Sequence, residues 1–141
     1  AVTSVSEEQD IIIKAAAVAD YRPAQVSDEK IKKSAGPMVL EMERTDDILG
    51  YLGVNKREGQ YLCGFSMETE NMLENSRAKL ARKNADMIVA NNLKVEGAGF
   101  ATDTNIVTLI TPDTAVELGK RSKDEVAGDI LDMILKRRSE Q

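Results

Sequence analysis

The sequence predicts an α/β fold in which a mostly parallel sheet is flanked by helices and ends in a C-terminal β-hairpin. Short runs that are apolar on both faces, around Ile11-Ile12-Ile13, Gln60 to Ser66 and Asp86 to Ala90, have the character of buried parallel strands. Between them lie segments with helical spacing of apolar residues, and strand alternating with helix is the pattern of a parallel sheet. A Pro112-Asp113 turn between two short strand-like runs supplies the hairpin. At 141 residues, 42% hydrophobic and 30% charged, the chain suits one globular domain.

The first strand is predicted over Asp10 to Val18 and breaks at Ala19 to Pro23, where proline ends regular structure. Residues 23–37 read as a polar, lysine-bearing loop, and Met38 to Glu43 as a strand. Thr45 is placed to cap a helix running to about Asn55, with Asp46 and Asp47 in its first turn and Ile48, Leu49 and Leu52 inward. A helix over Glu70 to Asn84 has Met72, Leu73, Ser76, Leu80 and Ala81 on one face, with Arg77, Lys79, Arg82 and Lys83 on the other. Asn105 to Ile110 reads as a strand that Thr114 to Leu118 pairs back upon. Ser122 and Glu125 have capping-box spacing, and they open a last helix to about Arg138 with Val126, Ile130, Met133 and Ile134 as its core stripe.

Composition excludes several functions. Nineteen basic against twenty-four acidic residues give a net charge of −5, which argues against a general polyanion binder. No histidine is present, so Ser-His-Asp and Cys-His nucleophile pairs and histidine zinc sites are absent. Chemistry falls to carboxylates, lysines, amides, backbone groups or a bound ion. Three tyrosines, two phenylalanines and no tryptophan make a poor stacking platform for single-stranded nucleic acid. The lone Cys63 excludes an internal disulfide, suits a reducing compartment, and reads as a small buried hydrophobe. The apolar run at 11–19 is split by Lys14 and falls short of a membrane span, and the first ten residues carry three acids and no base, unlike a signal peptide.

In parallel sheets ligands bind beyond the C-terminal strand ends, which directs attention to Ala16 to Arg22, Phe65 to Thr69 and Ala90 to Asn92. Asp20 follows small residues that would admit a flat ring, and its carboxylate suits a sugar hydroxyl or exocyclic amine; a solvated turn is the plain alternative. Lys30-Ile31-Lys32-Lys33 suits phosphate, or is simply a solvated face. Lys79 and Lys83, four apart on one helix, point the same way, and a shared anion would offset their repulsion; an ordinary charged face is the competing reading. Phe65 is core filler or a stacking surface. Gly97-Ala98-Gly99-Phe100 lacks a third glycine and precedes a strand, so it is no dinucleotide fingerprint. No cluster has metal-ligand spacing.

Taken in order, Ala15-Ala16-Ala17-Val18-Ala19-Asp20-Tyr21-Arg22-Pro23, Lys30-Ile31-Lys32-Lys33, Gly64-Phe65-Ser66-Met67-Glu68-Thr69, and the run from Lys83 to Asn91 resemble the phosphopantothenoylcysteine synthetase domain of the bacterial bifunctional coenzyme A biosynthesis proteins. Gly99-Phe100 with Asp103-Thr104-Asn105 resembles that family's next segment, so the likeness covers nearly the whole chain. It implies a Rossmann-like fold with a flap and dimerisation segment at about 22–45, in a cytoplasmic homodimer that becomes a larger assembly when fused to the decarboxylase domain. It also implies a ligase that joins 4′-phosphopantothenate to cysteine with CTP and Mg²⁺ through an acyl-cytidylate, while FMN belongs to the separate decarboxylase domain. Carried over by motif, the nucleotide site comprises Lys14, Ala15, Ala16, Asp20, Lys30, Asp46, Asp47, Ile48, Leu49, Phe65, Lys79 and Lys83, with Lys30 catalytic in the flap. Which residues would hold the Mg²⁺ is left open by the resemblance.

The sequence departs from the family at Thr45-Asp46-Asp47-Ile48, where Asn-Pro-Asp-Ile is common, which points to backbone contacts at this helix start. Family members also carry a strand, a glycine-rich turn and an asparagine-bearing segment before the position of Ala1, so the expectation is the C-terminal part of one synthetase domain. A nucleotide-binding fragment without complete catalysis is the alternative. A dimerisation fragment, with Met38 to Glu43 as the intersubunit strand, is the third reading.

Overall fold

The computed structural model describes residues 1–32, 35–68, 70–92 and 103–140. Lys33 of the basic cluster, Thr69 and the Gly97 to Phe100 segment lie outside the described residues. The chain divides into two compact units, residues 1–15 with 48–141 and residues 16–47.

The first unit opens with α1 (Val2–Val5) and a single 3₁₀ turn, followed by β1 (Ile11–Lys14). After the second unit come α2 (Ile48–Val54), β4 (Tyr61–Glu68), α3 (Met72–Arg82) and β5 (Met87–Asn92). The short β6 (Thr104–Asn105), β7 (Val107–Ile110), β8 (Ala115–Glu117), the short β9 (Arg121–Ser122) and α4 (Lys123–Ser139) complete it. The sheet order is β1-β4-β5-β7-β8. β1, β4 and β5 are mutually parallel, with Ile12 opposite Leu62 and Gly64 opposite Ile88. β7 and β8 run antiparallel, so the predicted α/β class with a C-terminal hairpin is the observed one.

Both faces of this sheet are covered, which is why the runs from Tyr61 to Phe65 in β4 and from Met87 to Ala90 in β5 carry no charged residue on either side. One face puts Tyr61, Cys63, Met87, Val89 and Leu109 against Val126, Ile130 and Ile134 of α4, with Met133 partly buried beside them. The other puts Ile12, Leu62, Ile88 and Ile110 against Leu49 and Leu52 of α2 and Leu80 of α3. The capping box forms as the spacing predicts: Glu125 N donates to Ser122 Oγ at 3.2 Å, and Ser122 N donates to Glu125 Oε2 at 2.8 Å.

Two locks fix the helix exits. Asp86 accepts from Leu62 N at 2.7 Å and from Lys56 Nζ at 2.8 Å, which ties the α2–β4 connection to the start of β5. At the end of α3 the chain turns through Asn84 in the left-handed region (φ 47°), and Asn84 Nδ2 donates to the Gly53 carbonyl at 2.8 Å. A Cβ on Gly53 would sit 1.8 Å from the Lys83 carbonyl oxygen, so only glycine permits this approach of α2 to α3.

The parallel strands β1, β4 and β5 end at one rim of the sheet. β7 starts there, with Val107 opposite Asn91, and the hairpin turn at Thr111 to Thr114 lies at the other pole. There Arg137 reaches Thr111 and Asp113 and anchors the foot of α4.

The second unit pairs β2 (Tyr21–Pro23) with β3 (Met42–Arg44) antiparallel, Arg22 lying opposite Glu43. Arg22 Nε and Glu43 Oε1 are 2.7 Å apart, a solvent-exposed pair that adds little stability. Thr45 N and Oγ1 donate to the carbonyls of Asp20 and Ala19 at 3.0 and 2.5 Å, closing the base of this ribbon.

Several elements differ from expectation. β1 stops at Lys14, and as an edge strand it leaves Ile13 exposed. Tyr21 to Pro23 forms a strand because proline can close a ribbon edge where no donor is needed. The strand expected at Met38 to Glu43 shrinks to Met42–Arg44. The helix expected from Thr45 begins at Ile48, so Asp46 and Asp47 precede it instead of forming its first turn, and Thr45 spends its hydroxyl on Ala19. Lys79 is partly buried on the packed side of α3, while Leu73 and Ala81 are exposed.

Candidate ligand site

The C-terminal ends of β1 and β4 and the flank of α3 gather a cationic group within the first unit. Lys14 ends β1 opposite Gly64, one residue before Phe65. Lys79 reaches back from the third turn of α3 and donates through Nζ to the Phe65 carbonyl at 2.9 Å. Burial pushes the Lys79 ammonium below the usual lysine range; Glu68 opposes that shift, while Lys83, Lys14 and Arg82 add to it. Four basic side chains therefore share one electrostatic neighbourhood, and an anion bound there would relieve both their repulsion and the desolvation of Lys79. Arg82 was not among the expected residues, because its place in the pattern is that of any surface arginine.

Phe65 is half-buried and packs against the α4-side core, so its ring is at once core and rim. Ser66 and Ser76 form a buried 3.0 Å hydrogen bond directly beneath, which holds α3 to β4 and so sets the reach of Lys79. Ile48 and Leu49 turn their side chains into the core on the α2–α3 face, which leaves their backbone at the helix start as what they can offer a ligand. Ala15 is exposed just beyond β1.

Ala16, Asp20, Lys30, Asp46 and Asp47 belong to the second unit, where all five are exposed. Asp20 stands at the base of the β2–β3 ribbon, its carbonyl taken by Thr45. Lys30 lies in the irregular stretch between the strands of this ribbon, beside a hollow of about 530 Å³ lined by Pro23, Val26, Ile31, Val39 and Leu40 among others. Among the described residues no three carboxylate, thiol or imidazole side chains are grouped to hold a metal ion. Cys63 is fully buried, with its thiol pushed up to about 12 by burial and by Asp86, and it is no nucleophile.

One pair in the first unit went unforeseen. Asn91, near the end of β5, accepts from Asn105 Nδ2 at 2.8 Å, and Asn105 Oδ1 accepts from Ile106 N at 3.0 Å. The position of Asn91 after a strand drew attention, whereas Asn105 entered only as a strand start and through the family likeness of Asp103-Thr104-Asn105, with nothing to link it to Asn91.

A family profile described as the DNA/pantothenate metabolism flavoprotein C-terminal domain matches residues 1–137. The coenzyme A biosynthesis bifunctional protein CoaBC of Bacillus subtilis (strain 168) is 51% identical over 135 residues, covering 95% of this chain and 33% of that protein. A cysteine/cysteine sulfinic acid decarboxylase from an unknown prokaryotic organism is 46% identical over 91% of this chain and 36% of its own length. The chain thus spans about a third of the curated relatives it matches. A crystal structure of the C-terminal domain of a CoaBC protein superposes with a TM-score of 0.78 at 40% identity, covering 99% of this chain and 60% of that one.

Proposed function

The chain belongs to the family of the DNA/pantothenate metabolism flavoprotein C-terminal domain, and from that premise we propose that it forms part of a CTP-dependent ligase joining 4′-phosphopantothenate to cysteine in coenzyme A biosynthesis. The observation that carries this reading is Lys79, held at 2.9 Å against the Phe65 carbonyl near the end of β4, with Lys14, Lys83 and Arg82 close enough to act on its charge, a cationic flank that suits a nucleoside triphosphate. The motifs at Asp20, Lys30 and Phe65 supply its resemblance to a cytidylate-forming ligase.

In the proposed reaction a carboxylate oxygen of the acid attacks the α-phosphorus of CTP and pyrophosphate departs, leaving an acyl-cytidylate. The amine of cysteine then adds to the acyl carbon, CMP leaves with the bonding electrons, and the amine sheds its proton to solvent. Such transfers depend on positioning and charge stabilisation, which is how a chain without histidine performs them. Lys79 and Lys83 hold phosphate oxygens, Lys14 and the backbone at Ala15 and Ala16 flank the nucleotide, and Phe65 lies against it. Asp20 accepts from a hydroxyl or amine of the nucleoside. The backbone at Asp46 to Leu49 donates to the nucleotide, and Lys30 neutralises charge developing during cytidylyl transfer.

Mg²⁺ fits this donor set as an ion held largely by phosphate oxygens with one or two carboxylates, and Asp46 is the side chain that would join it. When bound, it would screen the triphosphate from Asp46. A flap at about 22–45 shared across a homodimer belongs to the same reading, and the exposed Val26, Ile31, Val39 and Leu40 support a partner surface there. A cytoplasmic setting belongs to the same reading.

Calorimetry with CTP, ATP and NAD, followed by pyrophosphate release with 4′-phosphopantothenate, tests the proposal. Preference for CTP and release of pyrophosphate are expected, and Lys30→Gln should retain CTP while losing intermediate formation. CTP binding without pyrophosphate release leaves the narrower reading of a nucleotide-binding segment. No preference for CTP overturns the ligase lineage.

A further inference from the structure

The amide pair at the rim of the sheet has a fixed polarity. Asn105 Oδ1 faces the Ile106 N–H at 3.0 Å, and a backbone N–H can only donate, so the other side of that amide is Nδ2. Asn105 Nδ2 in turn donates to Asn91 at 2.8 Å, and the Asn91 atom receiving it is the carbonyl oxygen. What Asn91 can offer a further partner is therefore its NH₂ group.

Asn91 stands two residues beyond Val89 on β5, and Val89 lies opposite Phe65 on β4. Strand alternation puts Asn91 on the face of Met87 and Val89, the same face that Phe65 packs against. Asn91 lies opposite Met67 on β4, two residues beyond the Phe65 whose carbonyl takes Lys79, and its own partner Asn105 is neutral, while Asp103 and Arg121 carry the nearest charges along β6 and β9. A neutral amide donor suits an acyl or amide oxygen, while the polyphosphate of the ligase reading would be left to Lys79 and the basic residues that act on it.

We propose that Asn91 donates from Nδ2 to a carboxylate, acyl or amide oxygen of the acid substrate, and that Asn105 is the positioning residue that holds Asn91 in that polarity. This inference rests on the ligase reading above. It predicts an inversion: an aspartate at 105 still accepts from Ile106 N but can only accept from residue 91. The Asn91 amide then flips and presents oxygen to the ligand.

The test is titration of this chain with 4′-phosphopantothenate in the presence of CTP, with CTP titrated alone as the control. Asn105→Asp should weaken acid binding tenfold or more, Asn91→Ala should weaken it comparably, and Asn105→Ala should fall between parent and Asn105→Asp because the amide is then free to take either orientation. A merely structural role would make Asn105→Ala, which loses both hydrogen bonds, the worse of the two position-105 variants. CTP affinity should stay within twofold, and a native circular dichroism melt should accompany each variant. Should Asn105→Asp and Asn91→Ala bind the acid like the parent while CTP still binds, the inference falls and the ligase reading stands. A parent chain that binds neither CTP nor the acid overturns both.

Discussion

Lys79 donates to the main-chain carbonyl of Phe65 across 2.9 Å, so a helix side chain is fastened to the strand end where a ligand would arrive. The hydrogen bond orients the ammonium, and burial with neighbouring cations lowers its pKa against the opposing pull of Glu68.

Replacing that ammonium should separate ligand binding from folding. Lys79→Met keeps most of the stem's packing, so CTP affinity should fall at least tenfold while thermal stability changes little. Affinity within twofold of the parent would remove Lys79 from the site.

The depressed Lys79 pKa has a direction in pH. Below its folded value the amine is protonated in both states, and the penalty for burying charge is fully present. Between the folded value and the ordinary lysine value the unfolded chain holds more protons, so stability contributed by this group rises with pH. The stability difference between parent and Lys79→Met, measured by urea unfolding across the alkaline range, should shift in the parent's favour through that window. An anion that restores the charge should also draw protons from alkaline buffers of differing ionisation enthalpy when CTP is titrated.

Asp86 receives Lys56 and the Leu62 amide, and its removal would leave both without their acceptor. Asp86→Ala should destabilise by about 2–4 kcal/mol, seen as a lowered urea midpoint with unchanged slope.

Gly53→Ala places a methyl into the Lys83 carbonyl. The backbone of α2 or α3 must move, and a loss of about 1–3 kcal/mol is expected from such overpacking. Because Lys83 stands at the end of α3, CTP binding should weaken with it; unchanged stability would show that the helices separate freely.

Cys63 should resist thiol reagents in the native state and react promptly in denaturant, since it is buried and its thiol is held near pKa 12. Labelling at comparable rates in both states would contradict its burial.

Much of the first unit was legible because its signals are local and agree with one another. The runs at Tyr61 and Met87, the Ser122–Glu125 box and the Pro112 turn each specify their element from adjacent residues. What stayed hidden depends on distant partners. Tyr21 to Pro23 becomes a strand only because Met42 to Arg44 pairs with it, and Arg121-Ser122 only because Thr104-Asn105 does. Lys79 looked like outer-face charge because helical period says nothing of a long side chain reaching a strand carbonyl. Asn105 acquires its role from Asn91, fourteen positions earlier.

The pole that carries the Pro112-Asp113 hairpin also carries the Glu58-Gly59 turn ahead of β4, away from the strand ends. Gly59 is committed to a left-handed turn (φ 72°), but Glu58 beside it is exposed. With the native thiol sequestered in the sheet, a cysteine introduced at Glu58 would be the one handle a maleimide dye finds. A fluorophore or biosensor tether attached there would report on nucleotide capture without crowding it.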